Sequence, residues 1–506
     1  MTTAAMPSSS PYYARTVSHE SVSSLVHDEQ PSVSSVSTRT LADLPFTADL
    51  PLYRRKDLEI GELLGRGRFS QVHAIDRIRH RTPGDNEYAY TEHRYVMKHI
   101  QNKLFASRHH RKFAKDLTSA IADLVTEAMY LTKLRHPHIV QLRGLTLGGT
   151  SVLKRKGAVG GDYFLLLDSM EETLDQRIQL TWKKLYATGR KSSSNSSSEQ
   201  QQQQPRQPLS LLLAKTRYAW QMADAIKYLH DHQILYRDLK PENVGFILDS
   251  SAPHDDNDGD GDDKKQYKLQ LFDFGLAREL DEPASNESKL YSLSASGTRR
   301  YMAPETFNPP GKYNYKADVY SWAMVLYEML SHIKPFALFT CQLHEELVCR
   351  LGGRPRIKEI QWPAECQTDE SARLLARELE TLLHQAWNQN LQQRLSMAAV
   401  CDRVQEILQH QGQAAQQRVE IEEDYDQQRL SAKLKSLSNN NNSSANLEDS
   451  AAMIIFQKKT STSELTIATE SMASDSELDE DHPRGRWSHS SARSSISSKG
   501  TLFVRE

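Results

Sequence analysis

The pattern of apolar and polar positions divides the chain into a folded middle and polar ends. Residues 1–50 are rich in Ser, Thr and Pro and have no sustained period, so they predict a disordered leader. Across residues 58–408, apolar clusters and amphipathic stretches recur and predict a folded domain. Two polar segments interrupt it, a Ser- and Gln-rich one at 189–208 and an acidic one at 249–266, and both predict surface insertions.

The C-terminal part is polar in a different way from the leader. Residues 409–437 are rich in Gln, Glu and Arg and predict a helical extension, whereas the Ser-rich residues 438–506 predict a disordered tail. A hydrophobic content of 38% and a mean hydropathy of −0.64 are low for a fully packed chain and agree with disorder at both ends. The folded middle is long enough for two lobes with separate cores.

The composition limits the class of protein. The chain has 63 Lys and Arg against 65 Asp and Glu, and its net charge of −2 gives no general reason to expect nucleic-acid or membrane-surface binding. Its four cysteines form no Cys-x-x-Cys pair, which favours a reduced compartment over a disulfide framework or a zinc site. No apolar stretch approaches the ~20 residues that a membrane helix needs. We therefore expect a cytoplasmic protein, with the nucleus as the alternative, that has no membrane span and binds no nucleic acid.

A glycine-rich segment follows the first predicted strand of the domain. Residues 58–64 read as a strand, and the sequence Gly65-Arg-Gly67-Arg-Phe-Ser70-Gln-Val72 comes directly after them. Glycine lets the backbone approach phosphate groups closely. The segment is not a P-loop, because no Gly-Lys-[Ser/Thr] follows, and not a dinucleotide fingerprint, because Ser70 stands where that pattern has glycine. Taken alone, it is also compatible with an ordinary hairpin turn.

Two charged residues lie at positions from which they could contribute to a nucleotide-binding site. Lys98 ends the apolar strand Tyr95-Val-Met-Lys98, from which a cation can reach nucleotide phosphates. Glu127 lies on the same predicted helical face as Leu131 and Leu134. Each has an ordinary alternative, because edge strands carry solvated lysines and surface helices are amphipathic.

Four motifs in a fixed order carry the strongest signal. They are Tyr236-Arg-Asp-Leu-Lys-Pro-Glu-Asn243, Leu271-Phe-Asp-Phe-Gly275, Gly297-Thr-Arg-Arg-Tyr-Met-Ala-Pro-Glu305 and Asp318-Val-Tyr-Ser-Trp322. Together with the earlier glycine-rich segment, lysine and glutamate, they closely resemble the eukaryotic protein kinase family over about residues 58–408. The resemblance implies an α+β bilobal fold, with a small β-rich N-lobe that carries one helix and a mainly helical C-lobe.

The resemblance implies that seven residues bind ATP. They are Gly65, Gly67, Val72, Lys98, Glu127, Asp168 and Met170. The two glycines would cover the ATP phosphates, and the valine would lie against the adenine. The lysine would hold the α- and β-phosphates and pair with the glutamate. The last two residues would belong to the hinge between the lobes and meet the adenine through their backbone.

Four further residues take chemical roles by the same resemblance. Asp238 would accept the proton of the substrate hydroxyl, and Lys240 would stabilise the phosphoryl group in transfer. Asp273 and Asn243 would each hold a Mg²⁺ ion, which prefers oxygen ligands. Phosphoryl transfer depends on positioning and charge neutralisation, so ATP is the expected substrate and Mg²⁺ the expected cofactor.

The chain departs from the family pattern at three positions. Tyr236 replaces the usual histidine before Arg-Asp, Ser70 replaces the third glycine of the loop, and Val96 replaces a small alanine beside the adenine. None of these changes removes a catalytic group, so we expect retained activity. A catalytically silent, nucleotide-binding scaffold is the alternative.

The substrate class follows from residues on two motifs. Lys240 and Thr298 match the serine/threonine pattern, so serine and threonine hydroxyls of proteins are the expected acceptors. Residues 318–322 and 325–330 look like the tyrosine-kinase-like branch of the serine/threonine kinases. Dual specificity stays open as an alternative.

The segment 273–305 predicts a switch and an anchor. It contains several hydroxyl side chains, and Arg237 offers a cation that can order such a segment once it is phosphorylated. We therefore expect activation by another kinase or by self-phosphorylation in trans. Glu305 resembles the family residue that pairs with an arginine late in the C-lobe, here Arg394, and this pair is expected to be structural.

Overall fold

The computed structural model describes most of the folded middle of the chain. The described residues are 50–81, 88–91, 94–106, 111–184, 207–249, 266–281, 283–307 and 311–440. The predicted leader 1–50, apart from its last residue, and the predicted tail beyond residue 440 lie outside the described residues. Residues 189–206 and 250–265 of the two predicted insertions also lie outside them.

The N-terminal part is a seven-stranded sheet in the order β1-β6-β7-β5-β3-β2, with β4 paired to β3. The strands are β1 Leu52–Tyr53, β2 Leu58–Arg66, β3 Ser70–Arg81, β4 Tyr88–Thr91, β5 Tyr95–Ile100, β6 Leu142–Thr146 and β7 Phe164–Asp168. All pairs are antiparallel except β1 with β6. The strand predicted at 58–64 is confirmed as β2, which runs two residues further into the glycine-rich segment.

Both faces of the central strand β5 are covered. Successive side chains of a strand point to opposite faces, so Val96 and Ile100 join the main core, whereas Met97 packs in a smaller core with Phe164 on the other face. Lys98 shares the face of Val96 and Ile100. The helix that covers this face is α2 (Arg111–Lys133), and a short helix α1 (Asn102–Ala106) precedes it.

The C-terminal part is mainly helical. Its helices are α3 Leu174–Gln176, continued by the π-helix Arg177–Trp182, α4 Leu209–Asp231, α5 Lys316–Ser331, α6 Cys341–His344, continued by the π-helix Glu345–Arg350, α7 Glu370–Ala386 and α8 Met397–Asn440. Every residue of α5 is buried, as is typical of a helix enclosed on all sides by its lobe. This lobe and the β-rich lobe together confirm the predicted α+β bilobal fold.

Short strands and 3₁₀ segments complete the fold. The strands form three small sheets: β11 (Tyr267–Leu271), β10 (Val244–Leu248) and β8 (Glu172–Thr173); β12 (Arg278–Glu279) and β9 (Ile234–Leu235); β13 (Tyr291–Leu293) and β14 (Gly311–Tyr313). The 3₁₀ turns are Arg55–Asp57, Gly149–Lys154, Gly160–Asp162, Pro241–Asn243, Arg299–Tyr301, Pro304–Thr306, Ile357–Glu359 and Ala364–Gln367. From Ala415 the chain belongs to a second unit, whose described part is helical up to Asn440. The predicted extension 409–437 lies within the helix α8. Among the described residues, no helix combines the length and apolar character that a membrane-crossing segment needs.

The predicted insertion 189–208 extends too far at its C-terminal end. Gln207 is only 1% exposed, and its side chain donates to the Gln361 carbonyl oxygen at 2.8 Å and accepts from Lys215 Nζ at 2.8 Å. Pro208 is the cap residue from which α4 begins. The Gln-rich composition indicated a solvated segment, but Gln207, which follows the glutamine run 200–204, is held by a lysine that the sequence alone does not mark as buried.

Lys215 lies fully buried in α4 without an ion-pair partner among the described residues. Its Nζ lies 2.6 Å from His332 Nε2 and 4.9 Å from the centre of the Trp182 ring. Burial lowers the pKa of Lys215 well below its ordinary value. Between the folded pKa of Lys215 and its ordinary value, the folded protein therefore binds fewer protons than the unfolded chain, in which this lysine is charged.

We expect Lys215→Met to flatten the pH dependence of stability. Since burial lowers the pKa of Lys215, its contribution to the free energy of unfolding is fully present above about pH 10.4 and is lost as the pH falls toward the folded pKa. Between about pH 7.5 and pH 9, where His332 titrates in neither state, the slope should fall by up to ~1.4 kcal/mol per pH unit. Urea unfolding at a series of pH values measures it. Lys227→Met changes a partly exposed lysine on the same helix and is the control. Parallel profiles for Lys215→Met and wild type would refute the assignment.

Candidate active site

The first group of site residues surrounds Lys98 on β5. Lys98 Nζ lies 2.6 Å from Glu127 Oε2 on α2 and 3.0 Å from Asp273 Oδ1. Burial acts to lower the pKa of Lys98, but the Asp273 and Glu127 carboxylates outweigh it and raise that pKa. Lys98 is therefore a fixed positive charge, and the predicted pairing with Glu127 is present.

The glycine-rich segment forms the hairpin between β2 and β3, above this lysine. Gly65 pairs with Val72, and Val72 pairs in turn with Lys98 on the neighbouring strand. The backbone N–H of Gly67 donates to the Ser70 carbonyl oxygen at 3.0 Å and closes the turn. A Cβ on Gly67 would lie 2.9 Å from Ser70 Oγ, the end of a side chain that can turn away, and a Cβ on Gly65 would meet no protein atom within 4 Å, so the contacts of the hairpin alone do not require glycine at either position.

A buried carboxylate holds the loop that carries Asp238. Asp318 accepts backbone N–H groups from Tyr236 at 2.8 Å and Arg237 at 2.9 Å, and it accepts from His230 Nε2 at 2.9 Å. Arg237 has a φ of 69°, a conformation that costs roughly 1–2 kcal/mol in an isolated non-glycine residue. The buried contacts to Asp318 stabilise that turn, and the turn brings Asp238 into the cleft.

Four donors surround the Asp238 carboxylate. Lys240 Nζ donates to Oδ2 at 2.7 Å and Asn243 Nδ2 donates to Oδ2 at 3.0 Å. On Oδ1, the Thr298 backbone N–H donates at 3.0 Å and its hydroxyl at 3.1 Å. Burial raises the pKa of Asp238 above its ordinary value, although the Lys240 ammonium acts to lower it. A raised pKa makes this carboxylate a better proton acceptor.

Asp273 connects the two groups of residues. It has a φ of 66°, binds Lys98 directly, and its charge also interacts with Lys240 of the second group. Burial acts to raise the pKa of Asp273, but Lys98 outweighs it and the pKa is lowered, so the carboxylate stays ionised. The ammonium groups of Lys98 and Lys240 and the carboxylate oxygens of Asp273 and Asp238 thus meet in one cleft.

The donor set of this cleft fits Mg²⁺. Asn243 donates its Nδ2 to the Asp238 carbonyl oxygen at 3.0 Å and to the Asp238 carboxylate, which turns its Oδ1 away from Asp238. This oxygen and the Asp273 carboxylate are the hard ligands that Mg²⁺ prefers. The described part of the chain contains no cluster of three or more His, Cys, Asp or Glu suited to a metal. Two protein ligands suffice, however, when substrate phosphates complete the coordination.

Tyr236, the residue in place of the usual histidine, is fully buried behind the site. Its hydroxyl donates to the Phe272 carbonyl oxygen, and its ring packs edge-on against Phe274 with centroids 5.2 Å apart. Burial raises the pKa of Tyr236 well above its ordinary value, so the hydroxyl keeps its proton and remains a donor. The tyrosine therefore ties the loop of Asp238 to the strand end that precedes Asp273.

Of the two predicted hinge residues, Asp168 ends β7 and Met170 follows it, and β7 lies beside the strand of Lys98. The Asp168 carboxylate is bound in bidentate fashion by Arg143 of β6, at 2.7 Å and 2.9 Å, so its side chain is occupied and only its backbone is left to meet a nucleotide. Met170 lies over Gly245 of β10, where an added Cβ would come within 1.8 Å of its sulfur atom. Sequence reasoning missed Arg143 and Gly245, because neither stands in a motif.

The two lobes and the linked groups in the cleft define an ATP-dependent phosphotransferase architecture. The family model of the protein kinase domain matches residues 58–411, which confirms the resemblance, and the chain belongs to the protein kinase family. It is 28% identical to serine/threonine-protein kinase VIK of Arabidopsis thaliana over 290 residues. This aligned stretch covers 57% of this chain and 51% of the relative. The chain is 22% identical over 351 residues to mitogen-activated protein kinase kinase kinase 7 of Bos taurus, covering 68% of this chain and 43% of the relative.

A third relative shows the same partial coverage. The probable serine/threonine-protein kinase gdt4 of Dictyostelium discoideum is 27% identical over 309 residues, which cover 60% of this chain and 14% of the relative. The chain thus spans about half the length of the Arabidopsis relative and less of the other two. Family membership rests on the kinase domain, and the remaining parts of these relatives have no counterpart in the match.

Proposed function

We propose that this protein transfers the γ-phosphoryl group of ATP to serine and threonine hydroxyls of proteins. The observation that carries the proposal is the Asp238 carboxylate, which is buried, has a raised pKa and is bound by Lys240 at 2.7 Å. The printed names of several relatives, which are serine/threonine kinases, support the same acceptor class. The chain would act in intracellular signalling, in the cytoplasm or the nucleus, without binding nucleic acid.

ATP would bind between the hairpin of β2 and β3 and the hinge. Gly65 and Gly67 would let the phosphates approach the backbone, and Val72, which pairs directly with Lys98 on the neighbouring strand, would lie against the adenine. Lys98, held by Glu127, would place its charge on the α- and β-phosphates. The backbone of Asp168 and Met170 would meet the adenine edge.

Asp238 and Lys240 would act on the acceptor hydroxyl and the phosphoryl group. A hydroxyl within hydrogen-bond distance of Asp238 would donate to the carboxylate, be oriented for in-line attack and lose its proton to it. Lys240, 2.7 Å from that carboxylate, would bind the oxygens on which negative charge is carried during transfer. Lys240 also donates to the Thr298 hydroxyl at 3.2 Å, which ties its position to the segment on which a substrate would lie.

Asn243 and Asp273 would hold Mg²⁺ with the phosphates of ATP. When bound, Mg²⁺ neutralises phosphate charge and aligns the leaving oxygens. The amide oxygen of Asn243 and the ionised Asp273 carboxylate have the chemistry for this, and because the Nδ2 of Asn243 is engaged by Asp238, its Oδ1 is the atom that would bind the metal. Lys98 keeps Asp273 charged.

Regulation by phosphorylation of the segment 273–305 is part of the proposal. Arg237 donates its Nε to the Leu276 carbonyl oxygen at 2.7 Å, while its Nη1 is buried and has no hydrogen-bond partner among the described residues. A phosphate on this segment would supply that partner and order the segment. Another kinase, or a second copy of this one in trans, would add it. The similarity to mitogen-activated protein kinase kinase kinase 7 is consistent with the tyrosine-kinase-like branch.

Phosphoamino-acid analysis after incubation with Mg²⁺, ATP and a generic protein substrate tests the acceptor class. We expect phosphoserine and phosphothreonine, complete loss of incorporation with EDTA, and loss with Lys98→Met but not with Lys103→Met, an exposed lysine on α1. Phosphotyrosine would instead support dual specificity. ATP binding without any incorporation, even after the segment 273–305 is phosphorylated, would contradict the proposal and favour the silent scaffold.

A further inference from the structure

Gln101 makes an unusual set of contacts with the tip of the glycine-rich hairpin. It follows the last residue of β5 and is only 5% exposed. Its side-chain Nε2 lies 2.6 Å from the Gly67 carbonyl oxygen, 3.1 Å from that of Ser70 and 3.4 Å from that of Arg68. One side-chain amide thus donates to the carbonyls of Gly67 and Ser70, on the two sides of the turn. No motif in the sequence marks Gln101 for this contact.

The backbone of Gln101 is itself anchored on both sides. Its N–H donates to the Phe69 carbonyl oxygen at 2.9 Å, and its own carbonyl accepts from Leu104 N–H at 3.1 Å, at the start of α1. Leu104 and Phe105 of that helix are buried in the main core. The donor therefore stands on a rigid base rather than on a flexible loop.

The strand register places this donor close to Lys98, the lysine proposed to bind the ATP phosphates. Because Val72 pairs with Lys98, Ser70 pairs with Ile100 and the tip of the hairpin falls beside Gln101, three residues after the lysine. The Ser70 carbonyl oxygen accepts from Gln101 and also from the Gly67 N–H at 3.0 Å. The tip of the hairpin is thus bound by the residue that follows β5, and Lys98 lies on β5 itself. The backbone of this strand therefore fixes the distance between the tip and Lys98.

The captured carbonyls determine where the N–H groups of the tip point. In a trans peptide the C=O and the following N–H point in opposite directions. Holding the Gly67 carbonyl toward Gln101 therefore turns the Arg68 N–H away from it. Backbone N–H groups in glycine-rich turns are the groups that bind phosphate, and a turn whose N–H directions are already fixed loses less conformational entropy on binding.

We infer that Gln101 is a positioning residue that holds the tip of the glycine-rich hairpin in a phosphate-binding conformation. The inference rests on the proposed function, because it assigns the tip to the ATP phosphates. Gln101 itself touches neither the nucleotide nor the acceptor. Its loss is therefore expected to weaken the binding of ligands that carry phosphates and to leave the binding of adenosine unchanged.

Gln101→Leu tests this, because leucine removes the donor and keeps an apolar side chain of similar size. We expect Kd for a non-hydrolysable ATP analogue, and KM for ATP, to rise about tenfold, which corresponds to ~1.4 kcal/mol. The value of kcat should stay within about twofold, since Lys98, Asp238 and Lys240 are untouched. Kd for adenosine, measured by the same calorimetry, should not change.

Gln141→Leu is the matched control. Its Nε2 also donates to backbone carbonyls, those of His136 at 3.3 Å and Ile139 at 3.0 Å, but these lie outside the hairpin. A general loss of packing or hydrogen bonding in the N-lobe would affect both glutamine variants alike. The positioning role predicts that only Gln101→Leu weakens the binding of the ATP analogue while leaving the binding of adenosine unchanged.

Gln101→Glu adds a second measurement, the pH dependence of KM for ATP. A purely structural role of Gln101 predicts no such pH dependence. At neutral pH the carboxylate cannot donate and repels the carbonyls of the tip, so KM for ATP should rise at least as much as in Gln101→Leu. When the pH is lowered toward about 5.5, the carboxyl takes up a proton and regains one donor. The ratio of variant to wild-type KM should then fall, while the ratio for Gln101→Leu stays constant with pH.

The possible failures separate the two claims. Wild-type protein that binds no ATP would overturn the proposed function and this inference with it. Wild-type binding together with unchanged ATP affinity in Gln101→Leu would overturn the inference alone. Equal losses for ATP and adenosine, or an equal loss in Gln141→Leu, would also overturn it, since both outcomes indicate general damage to the lobe.

Discussion

Asp238→Asn is expected to lower kcat by ~10²–10⁴ while ATP binding stays close to that of the wild type. The amide has the shape of the carboxylate and can still accept from Thr298, so the cleft should keep its geometry. It cannot take up the proton of the acceptor hydroxyl, however, and its NH₂ group would face the Lys240 and Asn243 donors that now bind Oδ2. Steady-state phosphorylation of a protein substrate and calorimetry with ATP measure the two quantities.

Asp231→Asn is the control for Asp238→Asn. Asp231 is exposed at the end of α4 and binds Lys227 at 2.9 Å, so the same chemical change there should leave kcat unaltered. If Asp238→Asn retained kcat within about threefold, Asp238 would not be the proton acceptor. A loss of ATP binding in this variant would indicate collapse of the cleft instead.

Arg394→Met is expected to lower the free energy of unfolding by ~3–5 kcal/mol. Arg394 is almost completely buried and binds Glu305 through two hydrogen bonds, at 2.6 Å and 3.0 Å. It also donates to the carbonyl oxygens of Asn388 and Lys316. Methionine would leave the Glu305 carboxylate and these carbonyls without their donor, which is the costly way to break a buried pair. Urea unfolding followed by fluorescence measures the change.

The matched change is Arg403→Met on α8. Arg403 is partly exposed and binds Glu406 at 2.9 Å and Glu378 at 3.5 Å, so its loss should change the unfolding free energy by about 1 kcal/mol or less. If Arg394→Met and Arg403→Met unfolded at the same urea concentration, the Glu305–Arg394 pair would not be the structural anchor that its burial indicates.

The parts of the site that sequence predicts best are those set by local spacing or by an ordered motif. Asp238, Lys240 and Asn243 lie within six consecutive residues, so their mutual contacts follow once the motif is recognised. The pairing of Lys98 with Glu127 was predicted from resemblance, since nothing in the spacing of the two residues requires it. The strand from Leu58 and the helix carrying Glu127 had clear periodic patterns.

The parts that sequence did not predict depend on single partners far apart in the chain. Arg143 binds Asp168, and Gln207 binds Lys215 and the backbone of Gln361; none of these pairs has a period or a motif. Gln207 lies three residues after the glutamine run 200–204, so the composition around it indicated solvent exposure. Only the packing around a buried lysine selects that one glutamine for the interior.

The most direct test of the central claim compares ATP labelled at the γ-phosphate with ATP labelled at the α-phosphate. With Mg²⁺ and a protein substrate, the account predicts label on serine and threonine from γ-labelled ATP and none from α-labelled ATP. It also predicts that Asp238→Asn nearly abolishes the γ-label while still binding ATP. Label from the α-phosphate, or no label from either form despite ATP binding, would contradict phosphoryl transfer by this site.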